Sequence, residues 1–234
     1  MKFERRINMN VDNPLYENQM ISVDIVTFTI ENGLVKVLLV KRKEKPYSEG
    51  WSLPGGRCYN NETMEYAASR ELKEKTGLED LYLKQFGVFS EPKRDIRFRN
   101  ISIAYLALID NNKVKVFQQT SKTLDAKWEN VQSITNLAFD HNEILAKAVQ
   151  NLRQEIVKSN IVKFIMPDAF TLPELQNVYE IILDKKFDRR NFRKKFLDLG
   201  LIVTTGEKKE TVRYRKPNFY KFIDDIDQKE TEIF

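Results

Sequence analysis

Strand-like and helix-like patterns of hydrophobic residues alternate along the first two thirds of the chain. Asn32-Gly33 is typical of a two-residue hairpin turn between two such strands. Runs rich in β-branched and aromatic residues predict strands at Met20–Ile30, Leu34–Val40, Tyr82–Phe89 and Ile101–Ile109, and a hairpin arm at Val114–Gln118.

Two helical patterns lie among these strands. Apolar residues at spacings of three and four predict a helix over Glu62–Thr76, with Asn61 as its N-cap and Gly77 at its end. A second amphipathic helix is predicted over Asp140–Lys158, with His141 on its surface. Strands interleaved with helices indicate the α/β class for this part of the chain.

The pattern changes after a boundary near Ser159–Phe170. Thr171-Leu-Pro-Glu174 is a capping box that begins one helix, and Asp188 can cap a second helix. A β-hairpin is then predicted from Leu201–Thr205 and Thr211–Arg215. Helix, short turn, helix and hairpin is the order of a winged helix-turn-helix domain.

Composition fits two small domains, which we place at 1–160 and at 161–234 with an acidic tail. The chain has 234 residues, of which 41% are hydrophobic and 31% charged, a balance that excludes wholesale disorder. A single cysteine, Cys58, and a single histidine, His141, exclude a disulfide framework and a Cys/His zinc cluster. The first residues lack the apolar segment of a secretory signal, so we expect a cytoplasmic protein.

The positive charge is concentrated in one segment. Residues 185–221 contain 13 Lys and Arg against four Asp and Glu, whereas residues 222–234 contain five acidic residues and one Lys. Since the net charge is +5, the first 184 residues balance to zero. The segment is either a solvated helix face or a surface that binds a polyanion.

A set of charged residues at fixed spacing covers the helix predicted at Glu62–Thr76. From Gly56 the order is five residues, Glu62, seven residues, and then Arg70-Glu71-Leu-Lys-Glu74-Lys75-Thr-Gly-Leu. This segment resembles the Nudix signature at every defined position except Lys75. Leu53-Pro-Gly-Gly56 before it and Ala126-Lys-Trp128 after it are also similar to that family. The resemblance implies an α/β/α sandwich with a mixed sheet.

The resemblance also implies a metal-dependent chemistry that this chain has altered. Residues at i, i+3 and i+4 share one helix face, so Glu71, Glu74 and Lys75 point the same way. In Nudix hydrolases, carboxylates at these positions hold Mg²⁺ or Mn²⁺. Glu71 and Glu74 remain as metal ligands, but the ammonium of Lys75 repels a cation, so we expect weak metal binding and little or no catalysis. Alternatively, Lys75 is solvated and a neighbouring acid replaces the lost ligand.

Ligand contacts are predicted around this helix. Arg94 and Arg97 lie in Glu91–Arg97, which resembles an Arg-Asp-Pro-Arg segment of ADP-ribose-type members, with Ile96 in place of the proline. Guanidinium groups suit paired phosphate oxygens, although an ion pair with Asp95 is the alternative. The full set of predicted ligand-binding residues is Arg42, Gly56, Arg70, Glu74, Arg94 and Arg97.

The second helix of the C-terminal domain is basic on the side opposite its apolar residues. Arg189, Arg190 and Asn191 occupy its first turn, from which a recognition helix contacts base edges in the major groove. We also predict DNA contacts from Arg193 and Lys194 on the helix and, as a wing on the phosphates, from Lys208, Lys209 and Arg213. The alternative is a domain that contacts another protein.

Both parts together resemble the Nudix-related transcriptional regulators (NrtR-like repressors). Phe170-Thr-Leu-x-Glu-Leu-Gln176 and Arg190-Asn-Phe192 are similar to the C-terminal domain of that family. The resemblance implies a dimeric repressor of NAD or sugar metabolism genes that binds double-stranded operator DNA, senses ADP-ribose or a related metabolite, and requires no cofactor. The alternatives are an Mg²⁺- or Mn²⁺-dependent ADP-ribose pyrophosphatase with an accessory C-terminal domain, and a protein-interaction adaptor.

Overall fold

A computed structural model describes residues 19–208, 217–223 and 233. Its first part is a mixed sheet of seven strands: β1 (Met20–Glu31), β2 (Leu34–Arg42), β3 (Trp51–Ser52), β4 (Gly55–Arg57), β5 (Leu83–Phe89), β6 (Asn100–Leu108) and β7 (Thr123–Asn130). The main order is β3-β2-β1-β6-β5, with β4 paired to β1 and β7 paired to β2. The β1–β6 pair is parallel and the other pairs are antiparallel.

One helix covers each face of this sheet. Helix α1 (Met64–Thr76) packs on Val23 and Ile25, and α2 (His141–Lys158) packs on the face that carries Val26 and Phe28. Successive side chains of a strand point to opposite faces, so β1 contributes to both cores. The predicted α/β/α sandwich is confirmed.

The predicted turn at Asn32-Gly33 and the predicted end of α1 are confirmed, whereas the predicted start of α1 is not. Asn32 and Gly33 have φ of 53° and 75°, which suits a two-residue hairpin. Gly77 ends α1 with φ of 78°, but the N-cap is Thr63 and not Asn61. The arm predicted at Val114–Gln118 is wrong, because this segment crosses the end of α1, where the backbone N–H of Phe117 donates to the oxygen of Thr76 at 2.9 Å.

The second part has the predicted helix-turn-helix. Its elements are β8 (Phe170–Thr171), α3 (Leu172–Leu183), α4 (Arg189–Asp198), β9 (Ile202–Lys208) and β10 (Asn218–Phe222), and the strand order is β8-β10-β9. Thr171 and Glu174 form the capping box, and Asp188 caps α4. The predicted strand Thr211–Arg215 lies outside the described residues; β9 instead pairs with β10, so the hairpin is longer than expected.

A single apolar cluster joins the two parts. It includes Phe28 of β1, Leu152 of α2, Phe170 of β8 and Leu175 of α3. Ile233 is fully buried, and its N–H donates to the oxygen of Val157 at 2.7 Å, so this residue packs against α2.

Candidate functional site

Arg70 organises the acidic face of α1. Its Nε and Nη2 donate to both carboxylate oxygens of Glu62, at 2.9 and 2.6 Å, and its Nη1 donates to Glu71 at 2.7 Å and Glu74 at 3.2 Å. Nη2 also donates to the oxygen of Arg57 at 2.9 Å, so all five donors have protein partners. This geometry assigns Arg70 to positioning the carboxylates, whereas the sequence predicts a ligand contact.

Neighbouring cations lower the pKa values of two carboxylates on this face, Glu62 and Glu74. The hydrogen bonds from Arg70 lower the pKa of Glu62 to about 2. Burial alone would raise the pKa of Glu74, but contact with Lys122 and Arg70 holds it below its ordinary value. Glu62 and Glu74 therefore remain charged at neutral pH.

Two lysines complete this face. Nζ of Lys75 donates to the oxygen of Gly55 and lies 3.4 Å from Oε2 of Glu71. Nζ of Lys122 binds Glu74 and lies 3.6 Å from Oε1 of Glu71. Lys122 is not predicted from the sequence, because it reaches α1 from the loop before β7 and no local spacing links the two.

The two lysines differ in their electrostatic environment. Burial lowers the pKa of Lys75, against the opposing effect of Glu71. Burial also acts to lower the pKa of Lys122, but Glu74 and Glu71 raise it overall. Three carboxylates thus face one guanidinium and two ammonium groups, and the cluster has no net negative charge to attract a metal ion.

Glycines allow this packing. A Cβ on Gly56 would lie 2.3 Å from Cδ of Glu71, and one on Gly55 would lie 2.3 Å from the oxygen of Val23. Both distances are far below van der Waals contact, so β4 can approach α1 at Gly56 and β1 at Gly55 only without side chains at these positions. The predicted box residue Gly56 therefore has a steric role.

A cationic cleft of about 410 Å³ opens beside the cluster. Arg42, Gly56, Lys75, Arg97 and Lys122 all line it. Its size is within the usual range for small-molecule sites. Burial and the proximity of Arg97 lower the pKa of Arg42, so an anion bound between them would relieve their repulsion.

Aromatic rings support the two guanidinium groups of the cleft. Arg42 lies over the ring of Phe139 at 4.7 Å, and Arg97 lies over Phe98 at 4.9 Å. Arg97 also pairs with Asp95, its Nη2 being 2.7 Å from Oδ2, which is the ion pair considered from the sequence. About a third of the Arg97 side chain stays exposed, so it can still contact a ligand.

Arg94, from the same loop, is placed differently. Its side chain is 3% exposed, and Asp140 binds it in bidentate fashion with two distances of 2.7 Å. Its Nη2 also donates to Oδ2 of Asp24 at 3.2 Å. Arg94 borders a neighbouring part of the cleft, but this geometry makes it an anchor for the loop, whereas the sequence predicts a ligand contact.

The surface position predicted for His141 is wrong. The residue is 5% exposed, and its Nδ1 accepts a hydrogen bond from the N–H of Leu53 at 3.0 Å. Its Nε2 lies 3.4 Å from Oδ1 of Asp24. Burial lowers the pKa of His141, and the side chain joins the start of α2 to the strands. Amphipathic spacing alone does not reveal this contact, because it depends on β1.

The basic face of α4 is open to solvent. Arg189, Arg190, Asn191, Arg193 and Lys194 are all exposed, while Phe192 and Phe196 are buried on the opposite side. Ion pairs found in the described ranges involve none of these cations. Lys208 at the end of β9 is also exposed, and Lys209 and Arg213 lie outside the described residues.

Glu180 fixes the turn between the two helices. Its Oε1 accepts from Nε2 of Gln176 at 2.8 Å and from the N–H of Phe187 at 3.0 Å. Its Oε2 accepts from Lys186 at 2.7 Å, and these bonds lower the pKa of Glu180 to about 2. The carboxylate therefore sets how α4 leaves α3.

Comparisons with known proteins match both parts. Residues 19–152 match the NUDIX domain, and residues 162–222 match the NrtR DNA-binding winged helix domain. In the part of the chain that the structure describes, no helix has the length and apolarity needed to cross a membrane.

Relatives resemble the chain over most of its length. The ADPR responsive transcriptional repressor NtrR of Acinetobacter baylyi is 31% identical over 88% of this chain and 83% of its own. The chain also resembles the crystal structure of Shewanella oneidensis NrtR complexed with a 27mer DNA. The two sequences are 32% identical, the TM-score is 0.78, and the match covers 87% of this chain and 93% of that one.

A further structure concerns the first part alone. The NUDIX domain of Shewanella oneidensis NrtR in complex with ADP ribose is 31% identical, with a TM-score of 0.55, over 60% of this chain and 93% of that one. With both of its domains matched in order, the chain belongs to the NrtR family of Nudix-related transcriptional regulators.

Proposed function

We propose that this protein is a DNA-binding transcriptional repressor whose Nudix cleft senses ADP-ribose, and that it controls genes of NAD or sugar metabolism. The observation that carries the proposal is the exposed basic face of α4, in a chain that aligns along 87% of its length with an NrtR bound to DNA. Among the described residues, the ion pairs leave the cations of this face without a carboxylate partner, so their charge is available for phosphates.

Operator recognition is assigned to α4. Arg190 and Asn191 lie in the first turn, where side chains reach base edges, and Arg can bind guanine in bidentate fashion. Arg193, Lys194 and Lys208 are assigned to backbone phosphates, together with Lys209 and Arg213 of the wing. Residues 161–234 form the DNA-binding unit in this proposal, and residues 1–160 form the sensor.

ADP-ribose is assigned to the cationic cleft, with Arg42 and Arg97 as its contacts. In a dimer, two recognition helices must match two half-sites at a fixed spacing. A ligand that binds one dimer geometry better than the other shifts the population toward it. We infer that bound ADP-ribose favours the geometry that no longer fits the operator.

Hydrolysis is expected to be slow or absent. Lys75 occupies the position of an acid that would hold Mg²⁺ or Mn²⁺, and Lys122 engages a second acid of the box. The competing function is a metal-dependent ADP-ribose pyrophosphatase. AMP release at about 1 per second or faster with Mg²⁺ or Mn²⁺ would favour that enzyme.

The decisive experiment is a gel shift on the DNA upstream of the protein's own gene, with and without ADP-ribose. A salt-sensitive complex that ADP-ribose dissociates supports the proposal. Absence of any complex in low salt would contradict DNA binding and favour the enzyme or a protein-interaction adaptor. A complex that ADP-ribose leaves unchanged would exclude it as the effector.

A further inference from the structure

We propose that the cleft binds the diphosphate of its nucleotide through the ammonium groups of Lys75 and Lys122, without a divalent metal ion. This inference rests on the proposed sensing of ADP-ribose. It assigns to two lysines the charge that a metal supplies in a hydrolase.

The donor set does not fit a divalent cation. No group of three or more His, Cys, Asp or Glu within residues 19–208, 217–223 and 233 is arranged to hold a metal ion. Glu71 and Glu74 are the acids expected to bind it, and Arg70 contacts both of them. A divalent ion would also meet the positive charges of Lys75 and Lys122 close to these acids, and like charges repel strongly at such distances.

Both lysines are held in place by the fold. Lys75 is anchored by the oxygen of Gly55 and by Glu71. The loop that carries Lys122 is fixed by Lys43, whose Nζ donates to the oxygens of Thr120 at 2.7 Å and Ser121 at 3.0 Å. The buried hydroxyl of Thr123 then ties this loop to the oxygen of Lys75 at 3.2 Å. Lys122 therefore reaches the cleft from a loop that these hydrogen bonds hold in place.

The two ammonium groups face the same cleft. Each has two described protein partners and three N–H donors, so each has one donor left. Lys75 and Lys122 both line the cleft beside Gly56 and Arg97. An ammonium carries three N–H donors, and each of these has two protein partners, so one donor can point at a phosphate oxygen. Each remaining N–H would donate a charge-assisted hydrogen bond to a phosphate oxygen, and Arg42 and Arg97 of the same cleft add positive charge.

The test is calorimetric titration of the full chain with ADP-ribose, in excess EDTA and in millimolar Mg²⁺. We expect the same affinity in both buffers. Lys122→Gln should weaken binding about 10- to 100-fold, as expected for a lost hydrogen bond between charged groups. Lys122→Arg should retain binding, and Lys147→Gln, on the exposed face of α2, should not change it.

Several outcomes would overturn the inference. Binding that requires Mg²⁺, or a Lys122→Gln variant that binds as tightly as the wild type, would make the lysines purely structural while leaving the repressor proposal intact. The repressor proposal is tested separately by the gel shift, which fails if the wild type does not bind operator DNA. Absence of ADP-ribose binding in both buffers would contradict the inference and the sensing function together.

A second variant keeps the test independent of folding. Lys75→Glu places a third carboxylate on the face of α1 that carries Glu71 and Glu74, so ADP-ribose affinity should become at least tenfold higher in Mg²⁺ than in EDTA. A variant that folds, as judged by its thermal melt, but shows no such metal dependence would contradict the role of Lys75.

Discussion

The cations around the acidic face of α1 and those of α4 differ in what surrounds them. Arg70, Lys75 and Lys122 face three carboxylates of the same chain, and their charge is largely neutralised internally. Arg190 and Arg193 are exposed on a helix whose acidic neighbours lie at its ends. Paired cations organise a small cleft, whereas unpaired cations create a field that a polyanion can neutralise.

The paired and the exposed cations should also differ in how much they contribute to the free energy of unfolding. Charges that are buried and paired cost much stability when one partner is removed. Exposed charges contribute little to folding and can be altered with small effects on stability. Substitutions in the box should therefore change folding and ligand binding, and substitutions on α4 should change DNA binding alone.

The largest expected effect is the salt dependence of operator binding. If the dimer contacts about six to ten phosphates, affinity should fall by about 10³ to 10⁵ between roughly 50 and 200 mM salt, because counterions are released from DNA. ADP-ribose carries only two phosphate charges, so its affinity should change by less than about tenfold. Fluorescence anisotropy at a series of salt concentrations measures both. If the affinities for DNA and for ADP-ribose fell equally steeply with salt, the proposed difference between the two sets of cations would be wrong.

The next effect concerns two arginines of one loop. Arg94→Ala should lower the free energy of unfolding by about 3–5 kcal/mol, because it leaves Asp24 buried without its cation. Arg97→Ala, at a partly exposed pair, should lower it by less than about 1 kcal/mol while weakening ADP-ribose binding. Urea unfolding and calorimetry check both. A stable Arg94→Ala protein with lost ligand affinity would restore Arg94 as a ligand contact.

A smaller effect is expected at the DNA interface. Arg190→Ala should weaken operator binding by about 1–3 kcal/mol if this residue binds a base in bidentate fashion. Its thermal unfolding should match that of the wild type, since the side chain is exposed. Lys147→Ala, exposed on α2, is the control. An unchanged gel shift for Arg190→Ala would refute the base contact.

The smallest effect is at Glu180. Its pKa is about 2 in the folded protein, below the ordinary value of 4.5 that applies to the unfolded chain. The charged carboxylate therefore stabilises the fold fully above about pH 4.5, and this contribution is lost as the pH falls toward 2. Glu180→Gln should therefore lower the melting temperature at pH 7 by roughly 2 °C, and the difference from wild type should vanish near pH 2. A difference that is constant with pH would show that charge is not involved.

The sequence predicts those features that depend on local spacing. The Nudix box, the capping box at Thr171, the cap at Asp188 and the apolar face with Phe192 all follow from residues a few positions apart. Caps and helix faces obey short-range rules, so a single sequence locates them to within a few residues, as at α1, whose N-cap is Thr63 and not the predicted Asn61.

Features that depend on distant partners are missed. Lys122 meets Glu74 across 48 positions, and Arg94 meets Asp24 across 70. The same limit accounts for His141, whose spacing suits a surface residue but whose ring contacts Leu53 and Asp24. Only the tertiary fold shows that Arg94, predicted as a ligand contact, has Asp140 and Asp24 as partners within the protein.

The apolar cluster shared by both parts restricts how the protein can move. Two parts of a protein can rotate about a hinge when few packed side chains cross the plane between them. Here, Phe28 of β1 and Tyr220 of β10 belong to one continuous apolar cluster, which disfavours such a rotation. Motion would then take the form of shear, with whole helices sliding by small amounts past one another. In a dimer, each winged helix would act as a rigid lever, so a slight tilt between subunits could alter the distance between recognition helices while each subunit keeps its own fold.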